Sequence, residues 1–149
     1  MLAKDIMTKD VITVKANTKV EAVTALLVDN KISGIPVVDD DNRIIGIVTE
    51  KDLIIKASEL KVPFYVTLFD SIIFLDNPIR FNKDIKKFVA SEVLDAMTTD
   101  VLVVEEDAKI SKVVEIMQKK RINRVPVVRN GKLVGIITRN DILKSMVKK

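Results

Sequence analysis

The chain states one pattern twice, and that duplication limits its possible folds more than any other feature. Asp5-Ile6-Met7-Thr8 returns as Asp95-Ala96-Met97-Thr98, and Ile35-Pro36-Val37-Val38 returns as Val125-Pro126-Val127-Val128. Gly46-Ile47-Val48-Thr49-Glu50-Lys51-Asp52 returns as Gly135-Ile136-Ile137-Thr138-Arg139-Asn140-Asp141. Aligned at an offset of 90 over the 34 positions from Asp5 to Val38, the copies share 12 identical residues. Composition alone would give roughly two or three. Each copy spans about 50 to 55 residues, a length at which a single core is marginal, so the copies are expected to pack on one another as one body. Any function should then come in two related sites at their junction.

Within the first copy, Val11-Ile12-Thr13-Val14 is a β-branched run that predicts a strand. Thr18-Lys19-Val20-Glu21 has the form of a capping box, and Val20, Val23, Leu26 and Leu27 follow at helical spacing, predicting a helix from about Thr18 to Asn30. Ile35 to Val38 and Ile44 to Val48 flank the polar stretch Asp39 to Arg43 and predict a hairpin. The pattern is helical again from Thr49 to about Ser58. The second copy repeats the order with a stronger turn, Asn130-Gly131. Its first helix carries Ile110, Val113, Val114, Ile116 and Met117 on one face, with Asp107 as the expected cap. Each unit reads strand, helix, strand, strand, helix, an α/β (α+β) layer arrangement of helices against small sheets.

The expected division is residues 1–60, a linking insert at 61–93, and 94–149. The insert holds all five phenylalanines (Phe64, Phe69, Phe74, Phe81, Phe88) and the only tyrosine, Tyr65. Its second half predicts a helix capped by Asn77 with Pro78 in the first turn and Ile79, Ile85, Phe88 and Val89 as its apolar stripe. Phe64 to Leu75 fits a strand or a buried helix. The aromatics serve either as extra core or as an interface, a symmetric contact between subunits or a surface on which a partner docks.

Cysteine and histidine are both absent. That removes disulfides, thiolate zinc sites, cysteine nucleophiles and the commonest general base, arguing against hydrolase triads and zinc chemistry. The net charge of +4 is too small to argue for nucleic acid by itself. Neither a membrane span nor a signal peptide is legible, which makes a cytoplasmic location the expectation. There is no Gly-x-x-x-x-Gly-Lys-Ser/Thr loop and no Gly-x-Gly-x-x-Gly. Asp39, Asp40 and Asp41 are read as a solvated hairpin tip in preference to a cation site.

The repeated Gly-h-h-Thr-x-x-Asp ending (h apolar) sets a hydroxyl and a carboxylate three residues apart where a strand becomes a helix. Thr49 with Asp52, and Thr138 with Asp141, would lie on one side of a helix N-terminus, where free amides favour an anion and the acid can accept from sugar hydroxyls. The plainer alternative is a helix cap with no ligand, contributing about 1 kcal/mol.

The three motifs in order, twice, resemble the cystathionine β-synthase (CBS) domain family, present as a tandem pair or Bateman module over roughly Leu2 to Ser58 and Leu94 to Val147. The resemblance implies a pair packed about a pseudo-twofold axis, with two clefts for adenosine-containing ligands: AMP, ADP, ATP or S-adenosylmethionine. It implies that Asp52 and Asp141 hold ribose hydroxyls and that Thr49 and Thr138 lie near the first phosphate. The backbone at Gly34, Ile35, Arg124 and Val125 would line the adenine pocket, and Thr8 and Thr98, with strands starting at Val11 and Val101, would approach the same clefts. It further implies a homodimer and a non-catalytic sensor or regulatory role towards an effector protein, with magnesium accompanying a triphosphate and no catalytic cofactor. Arg121, Arg124 and Arg139 replace Lys31, Gly34 and Glu50, so the site keyed by Asp141 is expected to favour phosphates. Two competing readings are a nucleic-acid-associated regulator using Lys119, Lys120, Arg121, Arg124 and the Lys144 to Lys149 tail, and a structural dimeriser whose threonines and aspartates are only caps.

Overall fold

The computed structural model describes residues 1–58, 65–68, 71–74 and 78–147, with backbone alone at 58, 65–68, 71–74 and 78–81. The elements run α1 (Ala3–Ile6), α2 (Val20–Asp29), β1 (Gly34–Val38), β2 (Ile44–Thr49), α3 (Glu50–Ser58), β3 (Tyr65–Leu68), β4 (Ser71–Phe74) and α4 (Pro78–Val89). A 3-10 turn at Val93–Asp95 precedes β5 (Val104–Glu105), α5 (Ile110–Lys120), β6 (Arg124–Arg129), β7 (Lys132–Thr138) and α6 (Arg139–Val147). The mixed α+β class expected from the sequence is the one observed.

Each copy is built on an antiparallel hairpin, β1 with β2 and β6 with β7. The turn of the second is left-handed at both Asn130 (φ 51°) and Gly131 (φ 79°), the backbone that an Asn-Gly pair adopts most readily in a two-residue hairpin. In the first copy Asp39 Oδ1 accepts from the amides of Asp41 and Arg43, both at 2.9 Å, and Asn42 takes the left-handed position. The two tips then join, Asn42 Nδ2 donating to the Leu133 carbonyl at 2.9 Å.

The leading strands are shorter than the sequence predicts. Only Val14 bridges to β1, in parallel with Val37, and β5 holds just Val104 and Glu105. The Val14 amide donates to the Pro36 carbonyl and the Val38 amide to the Val14 carbonyl. Continuing the ladder by one step would need an amide from Pro36, which proline lacks, and Pro126 sets the same stop for β5. The expected caps differ as well. Thr18 accepts from the Lys15 amide, and α2 and α5 start after Lys19 and Lys109 without a side-chain cap, so neither the Thr18 capping box nor the Asp107 cap forms. The helices form regardless because they bury apolar stripes, Val20, Val23 and Leu27 in one and Val113 and Met117 in the other.

Within the insert, Tyr65–Leu68 and Ser71–Phe74 pair as antiparallel strands, Tyr65 opposite Phe74 and Leu68 opposite Ser71, so the open choice falls to strand there; Phe64 and Leu75 lie outside the described residues. The helix predicted after it is α4, with Pro78 in its first position; its expected cap, Asn77, lies outside the described residues. Phe88 packs against the first copy's core.

The two copies exchange their leading segments. Ala3, at the start of copy one, is fully buried among Val104, Val113, Val125, Val127 and Ile137 of copy two. Val93 and Ala96 take the corresponding place among Val20, Val37 and Val48 of copy one. Thr8 pairs with Ile136 through reciprocal bonds of 2.9 and 3.0 Å, and Thr98 pairs with Ile47 through bonds of 2.8 and 2.9 Å. Met7 lies over Gly135 and Met97 over Gly46, where a Cβ would come 2.8 Å from Met7 Cγ and 2.6 Å from Met97 Sδ. The repeated Asp-x-Met-Thr and Gly-h-h-Thr motifs therefore meet each other, each in the opposite copy.

Candidate functional site

The strand-to-helix junctions β2–α3 and β7–α6 present Thr49 with Asp52 and Thr138 with Asp141. Asp52 Oδ2 accepts from the Thr49 amide at 2.9 Å and the Thr49 hydroxyl at 3.0 Å, while the Asp52 amide donates to Thr49 Oγ1 at 3.1 Å. Asp141 repeats the arrangement with Thr138 at 2.8, 3.0 and 3.4 Å. The plain helix cap is thus present in both copies.

The carboxylates also reach across the junction. Asp52 Oδ1 accepts from the Thr98 hydroxyl at 3.0 Å, and Asp141 Oδ1 from the Thr8 hydroxyl at 3.2 Å. A carboxylate has about four acceptor positions, so each aspartate keeps one on Oδ1 after these three bonds. The hydroxyl protons of Thr8, Thr49, Thr98 and Thr138 are all committed to the carboxylates.

Beside each aspartate opens a cavity walled by both copies. The one holding Asp141, Thr138 and Thr8 has a volume of about 770 Å³ and takes its apolar wall from copy one: Ile12, Leu27, Ile32, Pro36 and Leu53. The one holding Asp52, Thr49 and Thr98 has about 460 Å³ and is walled from copy two by Val101, Leu102, Ile122 and Pro126. Small-molecule sites have this size and character, apolar walls with a few placed polar groups.

The sequence-predicted site residues divide into five groups. Thr8, Gly34, Thr138 and Asp141 line the larger cavity, Thr49, Asp52 and Thr98 the smaller, and Arg124 lines both. Ile35 and Val125 are fully buried in the cores behind, so only their backbone could approach a ligand. Arg139 is exposed and lines neither cavity. The expected charge bias towards Asp141 is corrected by this placement: Arg121 lies with Asp52, and Lys31 lies with Asp141. Each cavity combines the acid of one copy with the loop before the central strand of the other, so reading charges copy by copy assigned them to the wrong side. Ser33, which no motif singled out, lines both cavities, and so does Glu50, which the comparison of charges had assigned to the first copy's site alone. Their signal would have been the pseudo-twofold relation, which brings positions near the axis into both sites.

Burial pulls the Arg124 guanidinium below its ordinary value, while Glu50 and Asp52 act in the opposite direction. Among the described residues, no cluster of three or more metal-ligating side chains is present.

The chain matches the CBS domain over residues 3–59 and again over 90–148. It is a CBS-domain pair. An uncharacterised Methanocaldococcus jannaschii protein is 31% identical to this pair over 99% of the chain and 92% of its own length. Other relatives are longer; the pair spans 63% of the Arabidopsis thaliana chloroplastic protein CBSX1, at 34% identity. The structure of CBSX2 in complex with AMP superposes with a TM-score of 0.75 at 29% identity, covering 98% of this pair and 96% of that chain. The CBS pair of the protein MJ0100, in complex with 5′-methylthioadenosine and S-adenosyl-L-methionine, gives a TM-score of 0.74 at 25% identity, covering 98% and 99%. Among the described residues of the pair, no helix is long and apolar enough to cross a membrane.

Proposed function

We propose that this CBS pair is a non-catalytic sensor of adenosine-containing ligands, bound in the two clefts between its copies. The observation that carries the reading is the free acceptor position on Asp52 and Asp141, each facing a cavity that the opposite copy walls with apolar side chains. A ribose hydroxyl can donate to that oxygen, and an adenine ring fits the apolar wall formed by Ile12, Ile32 and Pro36 or by Ile122 and Pro126. The AMP complex of CBSX2 and the 5′-methylthioadenosine and S-adenosyl-L-methionine complex of the MJ0100 pair support this ligand class.

Signalling follows from differential affinity. A ligand gripping residues of both copies favours one relative arrangement of them, and a partner protein or second subunit can read that arrangement. On this proposal the protein is a cytoplasmic homodimer acting on an effector, with magnesium when the ligand is a triphosphate.

A thermal-shift screen with AMP, ADP, ATP, adenosine and S-adenosylmethionine tests the proposal. A ligand at 100 times its dissociation constant adds about 2.7 kcal/mol. At roughly 2 to 4 °C per kcal/mol for this chain length, the melting temperature should rise by about 5 to 10 °C. A flat response to every adenosine compound at millimolar concentration would remove the reading.

A further inference from the structure

The two cavities share a partition. Ser33, Glu50 and Arg124 line both of them. Gly34 and Arg124 occupy the same position in the two copies and meet across the pseudo-axis, where a Cβ at Gly34 would lie 2.7 Å from Arg124 Nε. The glycine leaves space on one side that the arginine of the other copy fills.

That guanidinium is under-used. It has five N–H donors. Among the described residues its hydrogen bond is to the Ser33 hydroxyl, and none of the ion pairs formed includes it. A half-buried cation with donors to spare favours an anionic ligand, to which it can give two parallel charge-assisted bonds. The threonine hydroxyls beside the aspartates have no proton left for a phosphate. The remaining lining cations, Lys31 and Lys144 on one side and Lys51, Lys120 and Arg121 on the other, are exposed, and each belongs to a single cavity.

We propose that Arg124 is a single phosphate anchor shared by the two clefts, so that a nucleotide phosphate held in one cleft excludes a second phosphate from the other. The proposal rests on the adenosine reading above and deepens it. Two uncharged nucleosides bind together, as do one nucleotide and one nucleoside, whereas two nucleotides oppose each other. Linkage makes the opposition reciprocal between the clefts. Glu50, the acid common to both cavities, adds to the exclusion because it repels any phosphate that Arg124 does not neutralise.

Titration calorimetry with AMP and with adenosine on the full chain, on Asp52→Ala and on Asp141→Ala decides the matter. The single-cleft variants give each cleft its own dissociation constant. In the unmodified protein the second AMP should bind at least tenfold more weakly than the weaker of those constants, and the second adenosine within about twofold of it. Arg124→Gln, which stays polar but loses the charge, should weaken AMP about tenfold, leave adenosine within twofold and abolish the penalty on the second AMP. A second AMP that binds with its cleft's own constant overturns the proposal, as does Arg124→Gln weakening both ligands alike. Adenosine binding in these titrations keeps the underlying reading intact in either case, while failure of both ligands to bind overturns that reading and the proposal together. Should Arg124→Gln not fold by circular dichroism, the comparison of AMP with adenosine on unmodified protein still tests the exclusion. Glu50→Gln is a further test: it should tighten AMP several-fold and leave adenosine unchanged, and an equal effect on both would count against a shared phosphate position.

Discussion

Asp52 and Asp141 each do two things with one carboxylate, closing the first turn of their own helix and offering an oxygen to the cleft. Replacement by alanine should therefore show two separable losses. Without ligand, each variant loses a capping interaction of about 1 kcal/mol, lowering the melting temperature by roughly 2 to 4 °C. With AMP, Asp52→Ala and Asp141→Ala should each weaken binding in the cleft that the aspartate lines, and calorimetry showing AMP bound as tightly by either variant as by the unmodified protein would refute that role. Elsewhere, Glu106 accepts from Arg129 Nε and Nη2, both at 2.6 Å, and this pairing with the guanidinium holds its carboxyl below the usual value. The folded form thus binds the proton less tightly than the unfolded one. The resulting stabilisation is present above the unfolded pKa and is lost as pH falls through the folded one. An NMR titration should find Glu106 protonating at lower pH in the native protein than in Arg129→Ala; coincident curves would exclude the effect.

At the scale of elements, the contact that most constrains sequence is a sulfur side chain laid on a strand glycine. A Cβ at Gly135 would meet both Cγ (2.8 Å) and Cβ (3.1 Å) of Met7, atoms too near that residue's backbone to swing aside. Gly135→Ala should cost about 1 to 3 kcal/mol through overpacking, seen as a lowered urea midpoint; an unchanged midpoint would mean that the leading segment moves freely. The hairpins, the helices and the Thr-x-x-Asp junctions were legible because alternation, apolar spacing and the Asn130-Gly131 turn act locally. The leading strands were not, since their length is set by a missing amide on Pro36 and Pro126 that belongs to a different segment. The caps at Thr18 and Asp107 failed for a related reason: burial of Val20, Val23 and Val113 holds those helices with no cap bond. Within the site, residue types were readable and cavity membership was not. Arg139 stands next to Thr138 in sequence yet faces solvent, while Arg121 belongs with Asp52 of the other copy.

For the molecule as a whole, the exchanged leading segments make the duplication a single cooperative body. Deleting residues 1–8 removes Ala3 and Met7 from the far core and the Thr8 bridge from β7, a loss on the order of 3 to 5 kcal/mol by analogy with large core truncations. Against a typical total of about 5 to 15 kcal/mol, that should destabilise both copies together. Calorimetric and van't Hoff enthalpies should agree for the full chain, and a truncated protein melting in two separate steps would show the copies to be independent. The same threading has a temporal side. Ala3 is synthesised well before Ile137, which closes the pocket that receives it. The first copy's interior is incomplete until Val93 and Ala96 are made, and the second copy's until Ile137, so the nascent polypeptide carries an uncovered apolar opening between those points.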